Sequence, residues 1–195
     1  MKQVFNLVLW VFLLGLALDA DGAVPSGRIV NGTSVDILEA PCIVQIYALN
    51  SFLCGGTIIS SDRVLTAASC LMYQLSHMLR LVAGATSRFE GGVSFDVKEV
   101  VPHGKFNSTT MDNDIAIVTI IGSFDNYDPF RMSPIPLQTS EIAISPTRPK
   151  SCFVGGWGYT SGNGDYADNL KMIWMQLITQ NSCARAWAPV EITPQ

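Results

Sequence analysis

Short runs with a hydrophobic residue at every second position recur along this 195-residue chain, bounded by Gly, Pro, Asn or Ser. Such alternation is typical of half-buried β-strands, and it is clearest at Val93, Phe95 and Val97. The predicted strands are Cys42–Leu49, Cys54–Ser60, Arg80–Ala85, Val93–Val101, Ile115–Ile120, Cys152–Trp157 and Leu170–Ile178. Only Ala67–Tyr73 and Asn181–Trp187 are predicted to be helical. Short strands separated by turns favour an all-β sandwich or barrel.

Composition narrows the class of protein. Hydrophobic residues make up 48% of the chain and charged residues 14%, a balance that excludes a disordered chain. The formal net charge of −4 provides no broad basic surface, so neither nucleic acid nor anionic lipid is an expected partner. A proline-rich stretch, Pro129–Leu137, divides the sequence and is a candidate linker between two lobes.

The first residues have the pattern of a secretory signal peptide. Lys2 supplies a positive start, the apolar run Val4–Leu18 follows, and small residues accepted by a signal peptidase come next, at Ala20, Gly22 and Ala23. The alternative is a membrane anchor, which needs about 20 apolar residues, more than this interrupted run offers. We therefore expect residues 1–22 to be removed. The mature chain is then expected to be secreted to the extracellular space, with no membrane segment, and its cysteines to meet an oxidising environment.

Four motifs occur in a fixed order along the rest of the chain: GRIVNG (Gly27–Gly32), CGGTIISSDRVLTAASC (Cys54–Cys70), DNDIAIV (Asp112–Val118) and CFVGGWG (Cys152–Gly158). Together they resemble the chymotrypsin/trypsin-like serine proteases over residues 29–195. The resemblance implies two six-stranded antiparallel barrels with the active site between them. The first barrel would span about 29–128, the linker 129–137, and a partial second barrel 138–195.

The resemblance also implies an activation cleavage between Arg28 and Ile29, which makes residues 23–28 a short activation segment. An arginine in a segment rich in Pro, Ser and Gly is open to tryptic cutting. Ile29 would become the new N-terminus of the mature chain.

The motif that should carry the general base departs from the family pattern. The family has TAAHC where this chain has TAASC, Thr66–Cys70, so Ser69 stands in place of the histidine. A hydroxyl cannot take up and return a proton near neutral pH as an imidazole does. Asp114 is the retained member of the triad. Either it faces a hydroxyl or a water instead of the imidazole, or it only braces the strand that follows.

The nucleophile is a second departure. The family carries its reactive serine in a GDSGG segment, and none occurs in the sequence given, which ends at Gln195. The resemblance therefore implies that the nucleophile is absent, with the oxyanion-hole amides and the primary specificity pocket. It implies as well that the second barrel is incomplete in this chain.

The five cysteines are an odd number for a secreted protein. Cys54 and Cys70 match a family disulfide that closes the loop around the base. Cys152 and Cys183 match family cysteines whose partners would lie beyond Gln195, so we expect both to be unpaired. Cys42 has no usual partner in the family.

Two histidines, His77 and His103, are the candidates for a relocated base, and both are expected on exposed loops. With no acidic cluster at ligand spacing they make no zinc site, and no metal or other cofactor is expected. Two sequons, at Asn31 and Asn107, are candidate glycosylation sites. Asn107 is the better one, because the family buries the region around Asn31 after activation.

Three interpretations remain open. The first is a secreted trypsin-like serine endopeptidase homologue that is catalytically inactive and acts by binding proteins, protease inhibitors among them. The second is a truncated product of a serine endopeptidase gene whose full-length form hydrolyses peptide bonds. The third is an active endopeptidase with an unusual base. Fold alone does not separate them.

Overall fold

A computed structural model of the chain describes residues 29, 31–140, 142–145, 147–160 and 165–188. Six antiparallel strands close into a barrel in the order β2-β3-β4-β7-β6-β5. Their bounds are β2 Ile43–Ala48, β3 Ser51–Ile58, β4 Arg63–Thr66, β5 Leu79–Ala83, β6 Val93–Pro102 and β7 Ala116–Ile120. The predicted all-β class is confirmed.

The period-two pattern of the sequence becomes the inside and outside of this barrel. In β5 and β7 burial alternates strictly, so Leu79, Leu81 and Ala83 face the core while their neighbours are half-buried. Phe95 of β6 packs edge-on against Phe124 at 4.8 Å between ring centroids. These side chains form one continuous apolar core, which holds the barrel together through burial of apolar surface.

A second, three-stranded antiparallel sheet has the order β1-β9-β8. Its strands are β1 Thr33–Ser34, β8 Ser151–Gly156 and β9 Lys171–Gln176. Strand β1, near the start of the described residues, therefore pairs with the second sheet, through Thr33 opposite Met172, and not with the barrel. Within the described residues β8 is an edge strand, which is consistent with an incomplete second barrel.

A separate cluster of buried residues joins this sheet to the barrel. It consists of Ile37, Ala40, Cys42, Ile43, Trp157 and Leu170. Trp157 is only 1% exposed, and its indole Nε1 donates to the carbonyl oxygen of Thr86 at 2.8 Å. The cleft described below lies along this joint.

Two α-helices are present among the described residues, α1 Ala68–Leu71 and α2 Gln180–Trp187. Single 3₁₀ turns occur at Ile37–Glu39, Ser76–Met78 and Phe124–Asn126. Helix α1 ends earlier than the sequence predicts, because Met72 has a ψ of 130° and Tyr73 a φ of 69°, and helical geometry allows neither. No helix in the described part of the chain is long and apolar enough to cross a membrane. The predicted signal peptide, the activation segment and Arg28 lie outside the described residues.

Candidate functional site

The pairing of β4 with β7 brings Ser69 and Asp114 together. Thr66, the last residue of β4, lies opposite Ala116, the first residue of β7. In an antiparallel pair the residues after one strand meet those before the other, so the start of α1 faces the loop that ends at Asp114. Residues 45 positions apart in sequence thereby become neighbours.

Ser69 makes two hydrogen bonds to the carboxylate of Asp114. Its backbone N–H donates to Oδ1 at 2.7 Å, and its hydroxyl Oγ donates to Oδ2 at 2.7 Å. The N–H is one of the amides at the start of α1 that have no partner within the helix, so Asp114 caps α1 from outside. The serine hydroxyl is thus the group that faces Asp114 where the resemblance implies an imidazole.

The surroundings hold this pair in place from both sides. A disulfide between Cys54 of β3 and Cys70 of α1 ties the helix to the barrel. The hydroxyl of Thr66 donates to the carbonyl oxygen of Gly55 at 2.8 Å, next to that disulfide. On the other side Asn113 adopts a φ of 56°, which turns the chain sharply before Asp114.

Ser69 and Asp114 open into a cavity of about 400 Å³ between the barrel and the second sheet. The barrel side is formed by parts of β3 and α1, and the sheet side by residues 154–158 and Tyr166. Among the described residues that line it, Asp114 is the one charged group. A cleft of this kind suits an uncharged stretch of another protein better than a charged ligand.

Tyr166, on the sheet side of the cleft, is stacked on a second tyrosine, Tyr159. The rings of Tyr159 and Tyr166 lie 4.3 Å apart between centroids. The side-chain hydrogen bond between Tyr166 and Tyr159 stabilises the neutral phenol and raises the pKa of Tyr166; burial adds to the effect, and the charge of Arg88 opposes it. Arg88, which reaches from the barrel, places its guanidinium 5.5 Å from the ring centroid of Tyr166. Sequence reasoning missed this group, because no motif marks aromatic residues that meet only in the fold.

Ile29, the predicted new N-terminus, lies at the same cleft. Its side chain is buried, and its backbone N–H donates to the carbonyl oxygen of Tyr159 at 2.9 Å. A Cβ on Gly32 would come within 2.5 Å of Ile29 Cγ2, so glycine is the residue that lets Ile29 pack there.

Neither histidine reaches the site. His77 is exposed on the 3₁₀ turn Ser76–Met78. His103 is exposed after β6, where its Nδ1 accepts a hydrogen bond from the Lys105 N–H at 3.3 Å. Neither lines the cavity, and neither bonds to Asp114 within the described chain.

The remaining cysteines are free thiols: Cys42, Cys152 and Cys183. Cys42 is buried and Cys152 exposed, and both line a second cavity of about 670 Å³ beside β8. Burial raises the pKa of the Cys42 thiol, partly opposed by a backbone hydrogen bond. The described residues contain no group of three or more His, Cys, Asp or Glu that could hold a metal ion.

Comparison with known proteins matches these features to one family. The family model described as Trypsin matches residues 29–195. Trypsin eta of Drosophila erecta is 32% identical over 97% of this chain and 74% of its own length. The vitellin-degrading protease of Bombyx mori is 31% identical over 97% of this chain and 71% of its own length. The chain belongs to the trypsin family of chymotrypsin-like serine proteases.

A solved structure agrees with the fold. The scabies mite inactivated protease paralogue S-D1 has a TM-score of 0.75 to this chain at 24% identity, covering 84% of this chain and 69% of that one. At that identity the likeness concerns the architecture. The predicted resemblance to the trypsin-like proteases is confirmed by the family model and the relatives.

Proposed function

We propose that this chain is a secreted trypsin-family protein without proteolytic activity, and that it acts by binding proteins at the cleft between barrel and sheet. One observation carries the proposal: both oxygens of the Asp114 carboxylate accept hydrogen bonds from Ser69, the residue in the position of the general base.

The chemistry of that position decides the activity. Peptide hydrolysis by this family needs a group that takes the proton of the nucleophile and passes it to the leaving amine. Loss of the histidine base costs about a millionfold in turnover, or about 8 kcal/mol of transition-state stabilisation. The hydroxyl of Ser69 is committed as a donor to Asp114 and cannot perform this exchange.

A binding role needs only the cleft, which this chain keeps. Its walls are mainly apolar and backbone atoms, and the one charged group among its described lining residues, Asp114, accepts two hydrogen bonds from Ser69. The occupant that fits is an extended, uncharged segment of a partner protein, such as an exposed loop of a protease inhibitor.

Activity is tested on the protein as it stands. The purified chain is cut with trypsin at Arg28, the trypsin is removed, and an arginyl ester is supplied as substrate. We expect hydrolysis at the rate of the buffer alone. Turnover above that rate that disappears in Asp114→Asn would show a working site and overturn the proposal.

Binding is tested by calorimetry, with a small protein inhibitor of serine proteases whose exposed reactive loop is uncharged as the probe. Ala67 lines the cleft and Ala186 is exposed on α2, so Ala67→Trp fills the cavity while Ala186→Trp adds the same ring elsewhere. We expect Ala67→Trp to weaken binding at least about tenfold, or about 1.4 kcal/mol. Equal affinities for the two variants would place the interaction outside the cleft.

Secretion is tested separately through the mature N-terminus. The charged start, the apolar run and the small residues support cleavage after residue 22. In a secreting eukaryotic cell we expect protein in the medium that begins at Ala23. Protein that stays in the cell with Met1 intact would refute this part of the proposal.

The second candidate is a truncated product of an endopeptidase gene whose full-length form hydrolyses peptide bonds. Its support is the likeness to relatives named trypsins over nearly the whole chain. The transcript past the codon for Gln195 distinguishes the two. An open frame that encodes a GDSGG segment supports the second candidate, and an immediate stop codon removes it.

A further inference from the structure

The loop between β6 and β7 carries a sequon on the surface. Asn107, Ser108 and Thr109 have the order that oligosaccharyl transfer requires, and all three are exposed. Because a glycan must project into solvent, an exposed loop is the setting in which a folded protein accommodates one. Exposure alone does not select this sequon, since Asn31 is exposed as well.

Hydrogen bonding within the loop leaves the two groups of the sequon free. The side-chain oxygen Oδ1 of Asn107 accepts from the backbone N–H of Thr109 at 2.9 Å and of Thr110 at 3.2 Å. Nδ2 of Asn107 and the hydroxyl of Thr109 make no hydrogen bond within the described part of the chain. Nδ2 of Asn107, which receives the sugar, and the hydroxyl of Thr109, which the transferase recognises, are therefore both available.

The backbone fixes the loop in this arrangement. Asn107 N–H donates to the carbonyl oxygen of Asp112 at 3.0 Å, and Met111 N–H donates to the carbonyl oxygen of Asn107 at 2.8 Å. These two bonds close the loop on itself. A sugar on Asn107 would project from its tip without displacing any packed side chain.

The sequon at Asn31 differs in this respect. The hydroxyl of Thr33 donates to the carbonyl oxygen of Met172 at 3.4 Å, and Thr33 is paired with Met172 between β1 and β9. Gly32, the middle residue of this sequon, packs directly against Ile29. The threonine of this sequon is part of a sheet, so its hydroxyl is withdrawn once the chain has folded.

We propose that Asn107 is an N-linked glycosylation site and is preferred over Asn31; this rests on the secretion proposed above. A bond forms between Nδ2 of Asn107 and the anomeric carbon of an oligosaccharide carried on a lipid pyrophosphate. The bond from that carbon to the pyrophosphate oxygen breaks, the lipid pyrophosphate leaves, and the amide loses one proton. No electrons are exchanged with another molecule.

The position of the loop relates this modification to the cleft. The backbone N–H of Asn107 is hydrogen-bonded to the carbonyl oxygen of Asp112, which lies two residues before Asp114. However, no residue between 103 and 113 lines the cleft. The glycan would therefore stand beside the cleft and leave it open to a partner protein.

The test expresses the chain in a secreting eukaryotic cell in two forms, one with its own first 22 residues and one with an established signal peptide in their place. Lysate and medium are both treated with an amidase that removes N-glycans, and the peptide that contains Asn107 is read by mass spectrometry. Thr109→Ala and Thr109→Ser form the matched pair, since both keep Asn107 but only the second keeps the hydroxyl. Asn31→Gln reports on the other sequon.

With the established signal peptide we expect one amidase-sensitive mobility step, lost in Thr109→Ala and kept in Thr109→Ser and Asn31→Gln. An unmodified Asn107 peptide in that form would overturn the proposal, as would a step lost in Asn31→Gln instead. Glycan with the established signal peptide but not with the native one would refute the proposed secretion while leaving the site intact. Because the lysate is read too, a poorly folding variant still gives an answer.

Discussion

Ser69 donates both its backbone N–H and its hydroxyl to one carboxylate, and each bond has a measurable energy. Ser69→Ala removes the hydroxyl but keeps the N–H on Oδ1 of Asp114. Since the acceptor is charged and half-buried, we expect a loss of about 1–2 kcal/mol in the free energy of unfolding. Urea denaturation measures it. Ser108→Ala, at an exposed serine whose hydroxyl has no partner in the described residues, should change stability by less than about 0.5 kcal/mol.

Asp114→Ala removes both acceptors and should cost more than Ser69→Ala, because it also leaves the start of α1 uncapped. Equal stability of the parent protein and Ser69→Ala would mean that water replaces the hydroxyl without loss. The hydrogen bond would then be incidental to the fold.

The free thiols differ in reactivity for a physical reason. Thiolate is the nucleophile, and burial raises the pKa of Cys42 while Cys152 is exposed. With iodoacetamide at pH 8, we expect Cys152 to be alkylated first and Cys42 to react only slowly until the protein is unfolded. The Cys42 rate should keep rising with pH beyond the ordinary range of a cysteine. Peptide mass spectrometry follows both, and equal rates in the native protein would contradict the buried position of Cys42.

At the scale of elements, Arg88 connects the barrel to the segment before β9. Its guanidinium donates to the carbonyl oxygens of Ala167 at 2.7 Å and Tyr166 at 3.2 Å, and lies 3.4 Å from a carboxylate oxygen of Asp168. A lysine has no planar group to serve these acceptors together. We expect Arg88→Lys to lower the free energy of unfolding by about 2–3 kcal/mol.

Arg63→Lys is the matched control for Arg88→Lys. The Arg63 side chain is 59% exposed, and its ion pair with Asp62 is long, at 3.9 Å. Its replacement should change the free energy of unfolding by less than about 0.5 kcal/mol in the same urea titration. If the two variants lose the same stability, Arg88 is not what holds the segment to the barrel.

The elements were predictable to different degrees. All seven strands expected from alternation are present, within a few residues of their predicted ends. Strand β4 was missed because Arg63–Thr66 is too short to show a period of its own, and β1 because two residues carry no pattern. Strands this short are defined by their pairing in the fold, β4 with β3 and β7, and β1 with β9.

The site shows the same limit. The sequence and its family resemblance pointed to Ser69 and Asp114 but left open whether a hydroxyl or a water faced the carboxylate. In the fold, the hydroxyl of Ser69 faces the carboxylate, and Ser69 donates two hydrogen bonds to it. Tyr159, Tyr166 and Arg88 could not be predicted, because their meeting depends on how the second sheet packs against the barrel.

At the scale of the whole molecule, a closed barrel is joined to a smaller sheet that has an edge strand. The barrel has a continuous core of its own, while the sheet is held largely by the cluster around Trp157. Parts of a protein with few buried contacts open at lower free energy than its core. We therefore expect backbone amides of β8 and β9 to exchange with deuterium faster than those of β2, β5 and β7.

Trp157→Ala tests whether this joint is the weak point. Burial of the indole and its bond to Thr86 are both lost, at a cost of about 3–5 kcal/mol. Exchange should accelerate in β8 and β9 far more than in the barrel. Trp187→Ala, at a 59% exposed tryptophan of α2, is the control and should leave exchange in β8 and β9 nearly unchanged. Equal acceleration of barrel and sheet in Trp157→Ala would mean that the two unfold together, and that the cleft between them cannot open by itself to admit a partner.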